Sequence, residues 1–301
     1  MFMDKGIILK GVGGLYSVWT EDSGKVFQCT ARGIFRKEAK KPLIGDHVTL
    51  TEIDEINKTA AISEIAPRKS ELRRPAVANI DKLIFAAASS NPKPDLLLLD
   101  KMIVCAEIMK IEFVLMISKS DEDPEYAQEI VRQYSPAVKC FVTSAMQSES
   151  FKPVVNYIDG YTVVIAGQSG AGKSTFINTV ASRNLMDTGG LSEKTGRGKH
   201  TTRHSELFSV TEGFEKPTFI IDSPGFSMLE AENIEPIDLQ EYYPEMYNNK
   251  GLCRFQDCSH TGEPDCFTQE LVETGKMHPD RLKRYAIIYK ELADKYKNRY
   301  K

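Results

Sequence analysis

Long apolar runs are missing from this sequence. No stretch of about 18 consecutive apolar residues occurs, the least that a membrane-crossing helix needs, so no membrane partner is expected. The first residues, Met1-Phe2-Met3-Asp4-Lys5-Gly6, lack the charged-then-apolar order of a secretion signal, and a cytoplasmic location is the expectation. A surplus of positive charge is missing too. The formal net charge is −3, and neutralising phosphates takes clustered Lys and Arg, so any nucleic-acid contact has to come from local patches. Cysteine is sparse, with six among 301 residues. Cys29, Cys105 and Cys140 stand alone in apolar or β-like stretches and read as reduced core residues. What is present is ordinary: 41% hydrophobic and 27% charged residues, and length for two or three domains.

Against that background one stretch stands out. A strand-like run, Tyr161 to Ala166, breaks into Gly167-Gln168-Ser169-Gly170-Ala171-Gly172-Lys173-Ser174 and continues as Thr175-Phe176-Ile177-Asn178. This is G-x4-G-K-S between a strand and a helix, the setting a phosphate-binding loop requires. Its glycines let the backbone take positive φ and turn several N–H groups onto one point, where the helix N-terminus adds to an anion site. Lys173 supplies a charge for the β and γ phosphates and Ser174 a hydroxyl for Mg²⁺. The competing interpretation is a plain strand-turn-helix.

Upstream, residues 1–68 hold five short β-branched or aromatic runs, around 7–9, 15–19, 26–29, 47–50 and 61–65, punctuated by glycines. Five short strands predict a small barrel of the oligonucleotide/oligosaccharide-binding (OB) type. The cluster Gly11-Val12-Gly13-Gly14 is followed by no helix pattern, so strand bends explain it better than a dinucleotide site. The segment 31–41 carries five basic residues, one acid and Phe35. It is a candidate RNA-contacting loop, with a solvated basic loop as the alternative. Pro67 to Pro75 reads as a polar, proline-bounded linker.

Beyond it strands and helices alternate: strand 82–88, helix 96–109, strand 112–118, helix 125–134 and strand 138–143 precede the phosphate loop. That order predicts an α/β doubly wound sheet with ligands at the strands' carboxyl ends. Three stretches at those ends suit guanine. Ser118-Lys119-Ser120-Asp121 offers a carboxylate for the N1–H and exocyclic amine. Thr143-Ser144-Ala145 offers backbone N–H groups to the guanine carbonyl. Asp222-Ser223-Pro224-Gly225, after strand residues 218–221, offers an acid for Mg²⁺ and a glycine N–H for the γ-phosphate. The nucleotide-binding set is therefore Ser118, Lys119, Asp121, Ser144, Ala145, Gly167, Gln168, Ser169, Gly170, Ala171, Gly172, Lys173, Ser174, Thr175, Asp222 and Gly225.

Near the C-terminus the spacing Cys253-x4-Cys258-x-His260-x5-Cys266 gathers three thiols and an imidazole in a short polar loop. Four N/S donors meet the demand of tetrahedral Zn²⁺, and a complete set implies a closed structural site in which His260 is a ligand. After it, Leu282, Tyr285, Ile288, Tyr289, Leu292 and Tyr296 recur at helical spacing among basic residues. The apolar face is expected to pack on the zinc loop or the central domain, the basic residues facing either RNA or solvent.

The order of these parts is unusual, because the base-reading stretches near 118 and 143 come before the phosphate loop. In this the chain resembles the circularly permuted GTPases, in particular the ribosome small subunit-dependent GTPase A family. The resemblance covers nearly the whole chain, including Ser89-Ser90-Asn91-Pro92 to Leu99-Asp100, the Gly167 to Ser174 loop, Gly196-Arg197-Gly198-Lys199-His200-Thr201-Thr202 and the cysteine cluster. It implies three parts: an OB-type barrel over 1–68, a permuted P-loop GTPase domain over 69–227, and a zinc-binding, mainly helical domain over 228–301. It also implies a monomer that binds the small ribosomal subunit and its rRNA and hydrolyses GTP to GDP, with Mg²⁺ and Zn²⁺. The family's base-reading motif usually begins with Asn, which can bond both base and phosphate-loop backbone; Ser118 stands there instead. Losing one such bond costs about 0.5–1.5 kcal/mol, so weaker nucleotide affinity with retained guanine preference is expected.

Residues 183–205 keep no apolar period and lie between the phosphate loop and Asp222, which makes them the expected first switch. Thr201, or alternatively Thr202, would ligate Mg²⁺ together with Ser174 and Asp222. The second switch begins at Asp222. Where Ras-like enzymes carry a water-orienting Gln, Phe226 follows Gly225 and has no polar atom. By resemblance His200 takes that role, with His204 as a second candidate, and Lys173 and Thr201 complete the catalytic set. Turnover by the free protein is expected near the ~10⁻⁴ to 10⁻² s⁻¹ of unassisted GTPases. Two other readings stay open: an ATP-using P-loop enzyme, and a zinc-bearing RNA-binding switch that holds GTP with negligible turnover.

Overall fold

The structure is a computed structural model that describes residues 3–31, 41–73, 76–180, 207–210, 214–222, 234–249 and 251–298. Its first five strands, β1 (Asp4–Val12), β2 (Leu15–Thr20), β3 (Val26–Ala31), β4 (His47–Asp54) and β5 (Thr59–Ile65), close into a barrel in the order β1-β2-β3-β5-β4. β3 pairs with β5 in parallel and every other neighbour is antiparallel. Alternation of buried and outward side chains drives the closure: Ile8, Val18, Phe27, Leu50 and Ile62 point into one core. Gly13 and Gly14, at φ 62° and 88°, form the two-residue turn joining β1 to β2, so the cluster serves a hairpin and no nucleotide.

Of the proline-bounded stretch 67–75, the described residues 67–73 do not behave as a free linker. Arg68 forks onto Asp46, Nε to Oδ1 at 2.7 Å and Nη2 to Oδ2 at 2.8 Å, and Nη2 also donates to the Lys41 carbonyl. Asp46 is fully buried and accepts the Leu43 amide as well. A buried carboxylate needs such a partner, and that need fixes the segment. Beyond it β6 (Glu71–Arg73) pairs with β7 (Ala76–Ala78).

The α/β part follows in chain order as β8 (Lys82–Ala88), α1 (Leu96–Ile108), β9 (Glu112–Ser118), α2 (Pro124–Tyr134), β10 (Lys139–Val142), α3 (Lys152–Ile158), β11 (Thr162–Gly167), α4 (Lys173–Val180), β12 (Leu207–Val210) and β13 (Thr218–Asp222). Asp95 caps α1 by accepting from the Leu97 and Leu98 amides, and Asp123 with Pro124 starts α2. β10, β9 and β8 are neighbours in that order, and so are β11, β13 and β12. The pairs β9–β10 and β11–β13 are parallel, and β12 runs antiparallel to β13. β8, β9 and β11 are apolar along nearly their whole length because both faces are covered.

The chain divides into two compact units, Met1–Lys82 with Val155–Ala166 and Ile177–Phe226, and Leu83–Val154 with Gly167–Phe176 and Ser227–Lys301. In the first, Trp19 of β2 meets Phe219 of β13 edge-on at 5.3 Å. The second holds the phosphate loop, the base-reading turns and the C-terminal segment. That segment has 3-10 turns at Pro236–Tyr242 and Pro244–Asn249, then α5 (Phe267–Glu273) and α6 (Pro279–Asn298). Tyr285, Ile288 and Leu292 of α6 share a core with Tyr243, Met246, Phe267, Leu271 and Met277, and with Val104 of α1. The apolar face of α6 thus reaches both partners that its spacing suggested.

Beside this core lies a buried charge network. Arg281 is completely buried and forks onto Glu245, Nε to Oε1 at 2.6 Å and Nη2 to Oε2 at 3.0 Å, while its Nη1 donates to Asp100. Arg284 donates to the other oxygen of Asp100 and to Gln133. The Arg281 guanidinium lies 5.0 Å from the ring centres of both Tyr134 and Tyr243. Burial pushes the Arg281 pKa down, but Asp100 and Glu245 outweigh it and the net direction is upward, so the cation stays charged.

Candidate functional site

β11 delivers a fully buried Val163-Val164-Ile165 to Gly167, where the chain turns sharply. Gly167 has φ 135°, and a Cβ there would stand 2.3 Å from the Ala86 carbonyl oxygen, so no other residue fits. Gly170 and Gly172 also take positive φ. Lys173 folds back over the loop and donates Nζ to the Gly167 carbonyl at 2.7 Å and the Gln168 carbonyl at 2.8 Å. Ser174 and Thr175 occupy the first turn of α4. The glycine cradle, the lysine and the hydroxyls make a set of donors suited to a polyphosphate.

The stretch after β9 meets this loop. Ser118 is buried, and its Oγ donates to the Ala171 carbonyl at 2.9 Å across 53 residues of sequence. Gly172 leaves room for it, since a Cβ there would lie 3.2 Å from the Ser118 side chain. Lys119 takes a left-handed φ of 57°. Its carbonyl accepts from Ser89 Oγ and its Nζ donates to the Asn91 carbonyl, which ties the Ser89–Pro92 stretch to the turn. Asp121 accepts the Ser144 hydroxyl, so the base-reading carboxylate and the turn after β10 are bonded to each other. The Ser144 amide is itself donated to Ser150 Oγ at 2.9 Å, and the Thr143 amide to the Ile117 carbonyl. A cavity of about 290 Å³ opens beside these groups, lined by Ser120, Asp121, Gln128, Val142, Ser144 and Gln147.

In the same unit, Cys253, Cys258, His260 and Cys266 bring their ligand atoms within 4.8 Å of one another. Tetrahedral Zn²⁺ with Zn–S near 2.3 Å sets sulfur atoms about 3.8 Å apart. Cys253 and Cys266 stand at 3.8 Å, and His260 Nδ1 lies 3.5 and 3.3 Å from their sulfurs. The donor set therefore fits a tetrahedral ion. Gln240 completes the arrangement. Its amide donates to the Ile237 carbonyl, which turns Oε1 toward His260 Nε2 at 3.0 Å. An Nε2–H held this way leaves the Nδ1 lone pair facing the sulfurs. Burial lowers the His260 pKa and keeps the ring neutral, and burial pushes the Cys258 thiol up to about 12.

Three groups of expected residues fall elsewhere. His200, His204, Thr201, Thr202, Gly225 and Phe226 lie outside the described residues, as does the basic loop at 32–40. Asp222 ends β13, with its backbone paired to Ile165, but its side chain is also outside them. Gln240, Ser150 and the Arg281 network were not legible in the sequence, because each acts through a partner distant in the chain or through a backbone turn that carries no motif.

A glycine-cradled phosphate loop bonded to a carboxylate-bearing turn that precedes it in the chain defines a P-loop nucleotide-binding protein of permuted order. Comparison with known families agrees: residues 65–232 match the RsgA GTPase family and residues 5–62 the RsgA N-terminal domain. The chain belongs to the RsgA GTPase family. It is 41% identical to the small ribosomal subunit biogenesis GTPase RsgA of Ruminiclostridium cellulolyticum, over 97% of this chain and 95% of that one. The protein of the same name from Caldanaerobacter subterraneus subsp. tengcongensis is 40% identical over 99% and 98%. Among solved structures, YjeQ from Thermotoga maritima superposes with a TM-score of 0.79 at 30% identity, covering 97% of this chain and 99% of that one. YloQ, a circularly permuted GTPase, gives 0.77 at 31% identity, covering 97% and 96%.

Proposed function

We propose that this chain is a magnesium-dependent GTP hydrolase that binds the small ribosomal subunit and assists its late maturation, releasing GDP and phosphate. One observation carries the nucleotide part. Ser118 bonds the base-reading turn to the phosphate loop at Ala171, so two functions separated in the chain serve one ligand. In this reading the amides of Gly167 to Ser174 and the Lys173 ammonium hold the phosphates, Asp121 accepts from the guanine N1–H and amine, and the Ala145 amide meets the guanine carbonyl. Ser174, Asp222 and Thr201, or Thr202 in its place, hold Mg²⁺, which neutralises developing phosphate charge when bound. The Gly225 amide senses the γ-phosphate, and His200 orients the attacking water.

The four C-terminal donors bind Zn²⁺ as a structural site, since three thiols and an imidazole meet its demand for four tetrahedral N/S ligands. The barrel (1–68) and the zinc segment (228–301) grip rRNA while the GTPase domain (69–227) times release by hydrolysis. The protein works in the cytoplasm as a monomer. Its relatives' names supply the ribosomal partner. The deciding experiment is phosphate release from GTP and ATP, each with and without purified small ribosomal subunits. Slow GTP turnover that rises severalfold with subunits, and little ATP turnover, is the expected result. Equal use of ATP, or no response to subunits, overturns the proposal.

A further inference from the structure

Guanine presents two kinds of edge to a protein. Its Watson–Crick edge carries the N1–H and amine donors, and its major-groove edge carries only acceptors, O6 and N7. A carboxylate reads the first, and reading the second takes N–H or O–H donors. A hydroxyl has one proton. At Ser118 that proton is spent on the Ala171 carbonyl at 2.9 Å, within a side chain that is 6% exposed. The neighbouring Lys119 Nζ is drawn to the Asn91 carbonyl at 2.6 Å by one of its three protons. The Thr143 and Ser144 amides are committed as well, to the Ile117 carbonyl and Ser150 Oγ. An asparagine at position 118 would carry two amide protons, one for the Ala171 carbonyl and one for the base.

We infer that Ser118 is a specificity-determining residue that holds the base-reading turn to the phosphate loop while leaving guanine N7 unread. This rests on the nucleotide site proposed above and adds to it a statement about one ring atom. The protein then selects guanine through its Watson–Crick edge and its carbonyl, and it is indifferent to what occupies position 7.

The probe is 7-deaza-GDP, in which a C–H replaces N7, titrated calorimetrically against GDP with the full-length protein and two variants. The native chain is expected to bind the two nucleotides within about twofold of each other. Ser118→Asn is expected to bind GDP about 3- to 10-fold more tightly, one added hydrogen bond, with no such gain for 7-deaza-GDP. Ser118→Ala removes the tie to Ala171 without touching position 7, and it should weaken both nucleotides by the same factor. A native chain that binds 7-deaza-GDP tenfold more weakly than GDP overturns the inference and leaves the nucleotide site standing. So does a Ser118→Asn variant that gains equally for both. Failure of the native chain to bind GDP would overturn the site itself.

Discussion

At the scale of single residues, the strongest claims concern side chains that hold another group in place. Gln240 is one. Its carbonyl oxygen fixes the His260 ring through Nε2, and partners of this kind are worth roughly 10- to 100-fold in metal affinity. Gln240→Leu should therefore lower Zn²⁺ affinity by about that factor while the four ligands stay in place, measured by competition with a chromophoric chelator. An unchanged affinity would show that the ring needs no such support. Lys173 is another. Its ammonium bonds two carbonyls of its own loop. Lys173→Ala should abolish measurable GDP binding in calorimetry yet leave the thermal midpoint within a few degrees, because the loop geometry rests on Gly167 and its contact with Ala86. The motifs around Lys173 and the cysteines were legible as residue types at fixed spacing. Gln240 was not, since a glutamine twenty positions from a histidine carries no local signal.

At the scale of elements, buried charge decides the arrangement. Arg281 joins α6 to Asp100 of α1 and to Glu245 in the second 3-10 turn. Breaking a buried pair by removing one partner costs about 3–5 kcal/mol, because the other charge is stranded. Arg281→Met is expected to lose that much in denaturant unfolding, and Arg281→Met combined with Glu245→Leu to lose less than Arg281→Met alone. A double variant worse than the single would contradict the account. In the barrel, Arg68→Ala should cost a similar amount by stranding Asp46, which has no exposed surface. The strands and longer helices were legible because their periods are local: strand 112–118 and the helix after Pro279 appear where the residue pattern put them. β6, β7 and α3 were not, since short elements carry too few residues to show a period, and prolines near 67–75 mimic a linker.

At the scale of the whole molecule, chain order matters more than any one contact. The chain passes from the expected second switch directly into the zinc segment, and we predict that nucleotide state biases that segment. Hydrogen exchange over 251–298 should differ between the GDP-bound and GTP-analogue-bound protein; identical protection would count against the coupling. Removal of zinc by a chelator should expose the amides of 251–278 first, because metal binding and local folding are linked there. The three-part plan was legible because each part has its own signature: short strands, a glycine loop, clustered thiols. The ties inside each part were hidden, because they are bonds between residues as much as 184 positions apart, as between Asp100 and Arg284.

That last tie changes what the end of the chain is. Asp100 sits in the middle of α1, wholly enclosed, and both guanidiniums that neutralise it come from residues beyond 280. Truncation before residue 279 would remove both guanidiniums at once and strip Tyr285, Ile288 and Leu292 from the core they share with Tyr243, Met246 and Val104. The terminal helix is thus no removable appendage, and a nucleotide-binding fragment trimmed to its motifs should be recovered insoluble.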